Sequence, residues 1–189
     1  MMKESVQEKI QKGMASGRRE EELIIKLIET QCGGKCYKTS RNVDFFGHID
    51  IWWDSPKKGR LGIEVKGMKR NRQKGKRDAS IQWIELVGTS GHPGWIYGKA
   101  DYIAFMQEAK VIFVKRTDIV EWAERVTNGK EVVYRTPRDF YIPYCRNEVS
   151  DVKRKDKVFK APIEDLERMK HFEIFYTEEL FPYWYFEGR

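Results

Sequence analysis

The chain has 189 residues, 40% hydrophobic and 13% aromatic, which is enough for one ordinary core and too few for two. Thirty-six Lys and Arg against 29 Asp and Glu leave a formal charge of +7, which favours a polyanionic partner, nucleic acid ahead of an acidic membrane surface. The first residues lack the apolar stretch of a secretory signal, and no window approaches the roughly 18 apolar residues of a membrane span, so a soluble protein is expected.

Residues 3–19 are polar, basic and glycine-dotted, and read as a frayed arm or a short helix. From Glu20 to Gln31 the apolar Leu23, Ile24, Leu27 and Ile28 recur at helical spacing and stop at Gly33-Gly34, a helix with its terminator. Tyr37–Ser40 and then Val43–Trp53, rich in aromatic and β-branched residues with Gly47 as a break, predict a hairpin, and the basic PKKGR turn follows. Leu61–Val65 is the next strand, and a basic loop leads into a helix at about Ala79–Val87. Ala100–Met106 and Lys110–Val114 predict two further strands, Thr117–Val126 a helix with a threonine-aspartate cap, and Glu131–Arg135 a strand. The expected organisation is an arm (1–17), an α/β core with a mixed sheet (18–127), and an aromatic-rich extension packed on it (128–189). Trp52, Trp53, Trp83 and Trp95 read as core residues.

The odd, sparse set Cys32, Cys36 and Cys145 suits a reduced, cytoplasmic setting. The three histidines, His48, His92 and His171, are scattered far from the cysteines, which argues against a structural zinc site needing about four close ligands.

The chemistry gathers in two short stretches. In LGIEVKGMKR (61–70), Glu64 and Lys66 lie two apart on a strand and share a face, while Ile63 and Val65 take the other. In HIDIWW (48–53), Asp50 stands between Ile49 and Ile51, and hairpin pairing would bring it to Glu64. Two carboxylates beside a lysine make an oxygen-rich site for a hard divalent cation such as magnesium, able to activate water and stabilise charge on a phosphate. The competing reading is a same-face ion pair on a half-exposed strand. Helical spacing places Glu21 on a face with Ile24, Ile25 and Ile28, and Glu20 with Leu23, Ile24 and Leu27; either acid, or Glu22, could equally serve the helix dipole. Asp44 reads as a turn residue or a further metal contact. His48 would share the face of Asp50 in a regular strand, or be structural. Lys66, Lys69, Arg70, Arg72, Lys74, Lys76 and Arg77 form a run with no acid among them, best read as a loop contacting phosphates.

This order, a helix with Glu, a strand with Asp, a strand with Glu-x-Lys and then a helix, resembles the PD-(D/E)XK nuclease superfamily. EELIIKLIE (21–29), HIDIWW and GIEVKG look most like archaeal-type Holliday-junction resolvases and related phage-encoded nucleases. The resemblance covers residues 18–115; Ile49 stands where the strict motif has proline. It implies a restriction-endonuclease-like core of αβββαβ order and Mg2+- or Mn2+-dependent hydrolysis of DNA, on branched or structured substrates. By position it implies Asp50 and Glu64 as metal ligands joined by the Val65 carbonyl, Lys66 as the catalytic lysine, and Glu21 ahead of Glu20 and Glu22 as the helix acid. It also implies a supporting polar residue in the following helix, Gln82 or Ser80. Junction resolution would need two sites, hence a homodimer, and a phage-encoded member would act in the host cytoplasm. A restriction or repair nuclease or an exonuclease with the same site, and an inactive nucleic-acid-binding or protein-interaction module, are the alternatives.

Overall fold

The structure, a computed structural model, describes residues 6–70, 77–145 and 155–183. Helix α1 (Val6–Gln31) leads to strand β1 (Lys35–Lys38), the short helix α2 (Arg41–Gly47), and strands β2 (Ile51–Ser55) and β3 (Gly59–Lys66). A two-stranded ribbon follows, β4 (Lys69–Arg70) with β5 (Arg77–Asp78), and then β6 (Ile81–Val87) and a 3-10 turn (Trp95–Tyr97). Strands β7 (Tyr102–Met106) and β8 (Lys110–Lys115) precede helix α3 (Arg116–Thr127); β9 (Lys157–Pro162), α4 (Ile163–Arg168), β10 (Lys170–Phe175) and a second 3-10 turn (Glu178–Leu180) follow.

The central sheet has six strands in the order β1-β2-β3-β7-β8-β10 and is mixed, because β3 and β7 run parallel while the other neighbours are antiparallel. Alternation along β7 sorts the core onto two faces. Tyr102, Ala104 and Met106 join Leu23, Ile24, Leu27 and Ile28 of α1 on one face. Ile103 and Phe105 join Trp95, Ile119 and Trp122 on the other. The end of α1 is pinned where Trp53 Nε1 donates to Gly33 O at 2.9 Å. Gly34 there has φ +86°, and a Cβ on it would lie 2.2 Å from Asp54 O, so only glycine makes this turn.

Several local expectations are corrected. The helix expected over 79–87 is strand β6, which pairs antiparallel with β9 in a separate two-stranded sheet. Its apolar residues fit either period, and its β-branched and aromatic content decides for a strand once β9 supplies a partner. The αβββαβ order therefore lacks its second helix among the described residues. Residues 41–47 form α2 rather than the first half of a long strand, although β1 and β2 still pair as a hairpin would, with Lys38 opposite Ile51. Residues 3–19, expected as a frayed arm or a short helix, are helical from Val6, as the first part of the long helix α1 rather than a separate element. Helix α3 starts one residue early, with Lys115 at its cap and no side-chain capping bond. The strand expected over 131–135 reduces to a single bridge between Val133 and Tyr144. The C-terminal stretch supplies β10, the edge strand against β8. No described helix is long and apolar enough to cross a membrane.

Candidate active site

Pairing of β2 with β3 sets Ile51 opposite Ile63, and one residue further Asp50 N donates to Ile63 O at 2.9 Å. Asp50 therefore stands just before β2, next to Glu64. From the other side Thr39 N donates to Asp50 O at 3.0 Å, and Thr39 Oγ1 to Ile49 O at 2.5 Å. Because β2 ends here, Val65 N has no strand partner on this side, and Asp50 Oδ2 accepts its proton at 2.6 Å. The Asp50 carboxylate is thus aimed by the ladder itself.

Strand alternation turns Glu64 and Lys66 to the face away from α1, opposite Ile103 and Phe105 in the parallel register. Glu64 is only 4% exposed. Its Oε1 accepts from Lys66 Nζ, while its Oε2 is buried with no hydrogen-bond partner among the described residues. The Lys66 ammonium also sits 5.0 Å above the Trp95 ring. Burial, and then the Glu64 charge, push the Asp50 carboxyl up to about 7. Burial alone would lower Lys66, but Glu64 and Asp50 together raise it, so it stays a cation. Two acids thus share one base in a buried setting, with one carboxylate oxygen uncompensated.

That deficit is what a cation would fill. Among the described residues no group of three or more His, Cys, Asp or Glu side chains is arranged to hold a metal ion. A cation here would use the two carboxylates and complete its shell with the Val65 carbonyl and water, the habit of magnesium. The oxygen-only donor set and the orphaned Glu64 Oε2 fit such an ion.

The carboxylates open into a cavity of about 400 Å3 that Val65 and Lys66 also line. Glu20 and Glu21 reach it from α1. Glu20 is buried at 8% exposure. The Glu21 carboxyl is raised by burial and by Asp50, despite Lys38 at 3.4 Å. Glu22 points away to an exposed pair with Lys38 at 3.0 Å. Asp44, exposed in the first turn of α2, edges the same cavity. His48 lines it too, but not by strand alternation: it is the C-cap of α2, in the left-handed region at φ 50°. Burial and the Lys66 charge lower its imidazole, keeping it neutral near pH 7.

Gln82 is not brought to the cavity. Since β6 is a strand, Gln82 faces inward, where Nε2 donates to Gly67 O at 3.2 Å and braces the backbone just after Lys66. Ser80 is exposed and donates to Asp78 Oδ1 at 2.5 Å. Their neighbours Trp83 and Glu85, on the opposite face of β6, line the cavity instead. Sequence reasoning missed Glu85 and placed Trp83 in the core; alternation along SIQWIELV was the signal that could have found both. Trp53 and Trp95 are buried as expected, Trp95 also walling the cavity, and Trp52 packs half-buried on the core. Trp95 is held close because Gly94 lies against Glu85, where a Cβ would meet Glu85 O at 2.0 Å.

The basic run leaves β3 directly after Lys66 as the β4–β5 ribbon, with Arg70 opposite Arg77 and Lys69 opposite Asp78. Arg72, Lys74 and Lys76 lie outside the described residues. Cys32, Cys36 and Cys145 are free thiols, and burial raises Cys32 and pushes Cys36 up to about 12.

No family model matches the chain, and no curated protein or solved structure matches it either.

Proposed function

We propose that the chain is a divalent-cation-dependent phosphodiesterase of the PD-(D/E)XK kind that cuts DNA, with Asp50, Glu64 and Val65 holding the cation. The observation that carries this reading is the buried Glu64 Oε2, without a hydrogen-bond partner among the described residues, beside an Asp50 carboxyl raised to about 7. When bound, the cation supplies an activated water and offsets charge on the phosphate. Lys66 is kept protonated by its two acids, so it serves as a donor and positive charge toward the attacking water or a phosphate oxygen, not as a base. Trp95 and Glu64 hold that ammonium in place. Glu21, raised by burial and Asp50, stands at the cavity rim where it can take a proton from water. In hydrolysis the water oxygen bonds to phosphorus and gives its proton to Glu21, the ester P–O bond breaks, and the leaving oxygen takes a proton from solvent water. The basic ribbon holds the backbone through phosphates, without reading sequence.

The resemblance over residues 18–115 extends this reading to branched or structured DNA, and to a dimer if both strands of a junction are cut. A panel of labelled single-stranded, duplex, flap and four-way-junction DNA, incubated with Mg2+ and with Mn2+, tests the substrate: preferred cutting of the flap or junction is expected. Cutting of plain duplex alone, at defined sequences, would transfer the assignment to a restriction-type enzyme.

A further inference from the structure

A second cavity of about 470 Å3 adjoins the first, and the two share Asp44, His48 and Glu85 as common walls. Its remaining wall is built from the turn after β6 and from Tyr97–Lys99. That wall is pre-formed. Gly88 N donates to His92 O at 2.8 Å, and Gly91 N to Gly88 O at 2.9 Å, closing the turn on itself. Lys99 N donates to Gly47 O at 2.7 Å, and Gly98 packs so tightly that a Cβ would lie 2.6 Å from His48 Cβ.

The chemistry differs from that of the carboxylate cavity. Tyr97, 39% exposed, His92 and Pro93 offer ring surface, while Thr89 and Ser90 offer hydroxyls. A third hollow, of about 440 Å3, also reaches Asp50; it shares Gly17, Glu21, Asp44 and Asp50 with the first and adds Arg18, Thr39 and Lys38, the last paired with Glu21 at 3.4 Å. Asp44 borders all three hollows, so the lobe of rings and hydroxyls opens onto the paired carboxylates. Its size is in the range that takes a small organic ligand.

We propose that the ring-and-hydroxyl lobe is a nucleobase subsite, which receives the base next to the phosphate being cut. This rests on the phosphodiesterase reading of the carboxylate site. A base can enter a recess walled by Tyr97 and His92 only after leaving its stack, so the substrate is single-stranded or splayed at the cut. Every base has a π-face for such a lobe, so capture there is tolerant of sequence.

The test remakes an oligonucleotide that the protein cuts with a single abasic residue at each position around the cut. An abasic residue on one side of the cut phosphate should slow cleavage about tenfold or more, the loss of one stacked base, and on the other side should not. Tyr97→Ala and Ser90→Trp, the latter filling the lobe from an exposed turn, should slow the intact substrate but not the substrate already lacking that base. Equal cutting of all abasic substrates, or equal slowing of intact and abasic substrates by both variants, overturns the subsite. If no substrate is cut at all, the phosphodiesterase reading fails by itself. Anisotropy of the same oligonucleotides in calcium then decides the subsite: one base-sensitive position lost in Tyr97→Ala supports it, and uniform affinity overturns it.

Discussion

Replacing Asp50 by Asn should make the cation-free protein more stable above neutral pH, although it removes a residue placed at the centre of the site. In the unfolded chain this carboxyl titrates near 3.8, and in the folded chain at about 7. Between those values the folded state holds a proton that the unfolded state has released, so stability falls as pH rises through that window and the loss is complete above it. At about 1.4 kcal/mol per pH unit, keeping Asp50 ionised in the cation-free fold costs about 4 kcal/mol. Asn removes the charge and keeps the bond from Val65 N, since its amide oxygen can accept. Asp50→Asn should therefore be nearly neutral at pH 4. At pH 8 in EDTA it should melt roughly 8–16 °C higher, given about 2–4 °C per kcal/mol for a chain of this size. Thermal melts followed by circular dichroism measure this, and a second series with manganese should raise the parent protein but not the variant. A variant that melts at or below the parent at pH 8 in EDTA would refute the claim that Asp50 is a strained buried charge awaiting a cation.

Other outcomes follow from the same geometry. Since the cation must displace the Asp50 proton, manganese affinity measured by calorimetry should weaken about tenfold for each pH unit below about 7 and level off above it. Lys66→Met strands the Glu64 carboxylate and should cost about 3–5 kcal/mol at pH 8, most of it recovered in Lys66→Met/Glu64→Gln, as chemical denaturation will show. Changing Arg72, Lys74 and Lys76 to Ser together should weaken binding to all DNA sequences alike and flatten the salt dependence by about 2.7 in log–log slope if each meets a phosphate.

How much of this was legible in the sequence depended on how local its cause was. The Glu64–Lys66 face follows from strand period alone, and helix α1 from the spacing of Leu23, Ile24, Leu27 and Ile28. Asp50 needed only a hairpin, which β2 and β3 form. What escaped was non-local. SIQWIELV carries apolar residues at positions that suit either a helix or a strand, and its partner β9 begins only at Lys157, so nothing nearby announces the ladder. That one misreading placed Gln82 at the site and hid Trp83 and Glu85. RNVDFFG looked like a strand because of Val43 and its phenylalanines, yet it forms α2, whose left-handed end at His48 swings that imidazole into the cavity by a route that alternation does not describe.

If Asp50, Glu64 and Lys66 form a cation-dependent hydrolytic site, the chain must cut DNA. Nicking of supercoiled plasmid and of four-way-junction DNA by the full chain in Mn2+, beside Asp50→Ala and Lys66→Ala, tests it most directly. Cutting by the parent protein is expected, with its abolition in EDTA and in both variants and with retained DNA binding by both variants in calcium. Absence of cutting by the parent protein with either cation, or undiminished cutting by Asp50→Ala, would contradict it.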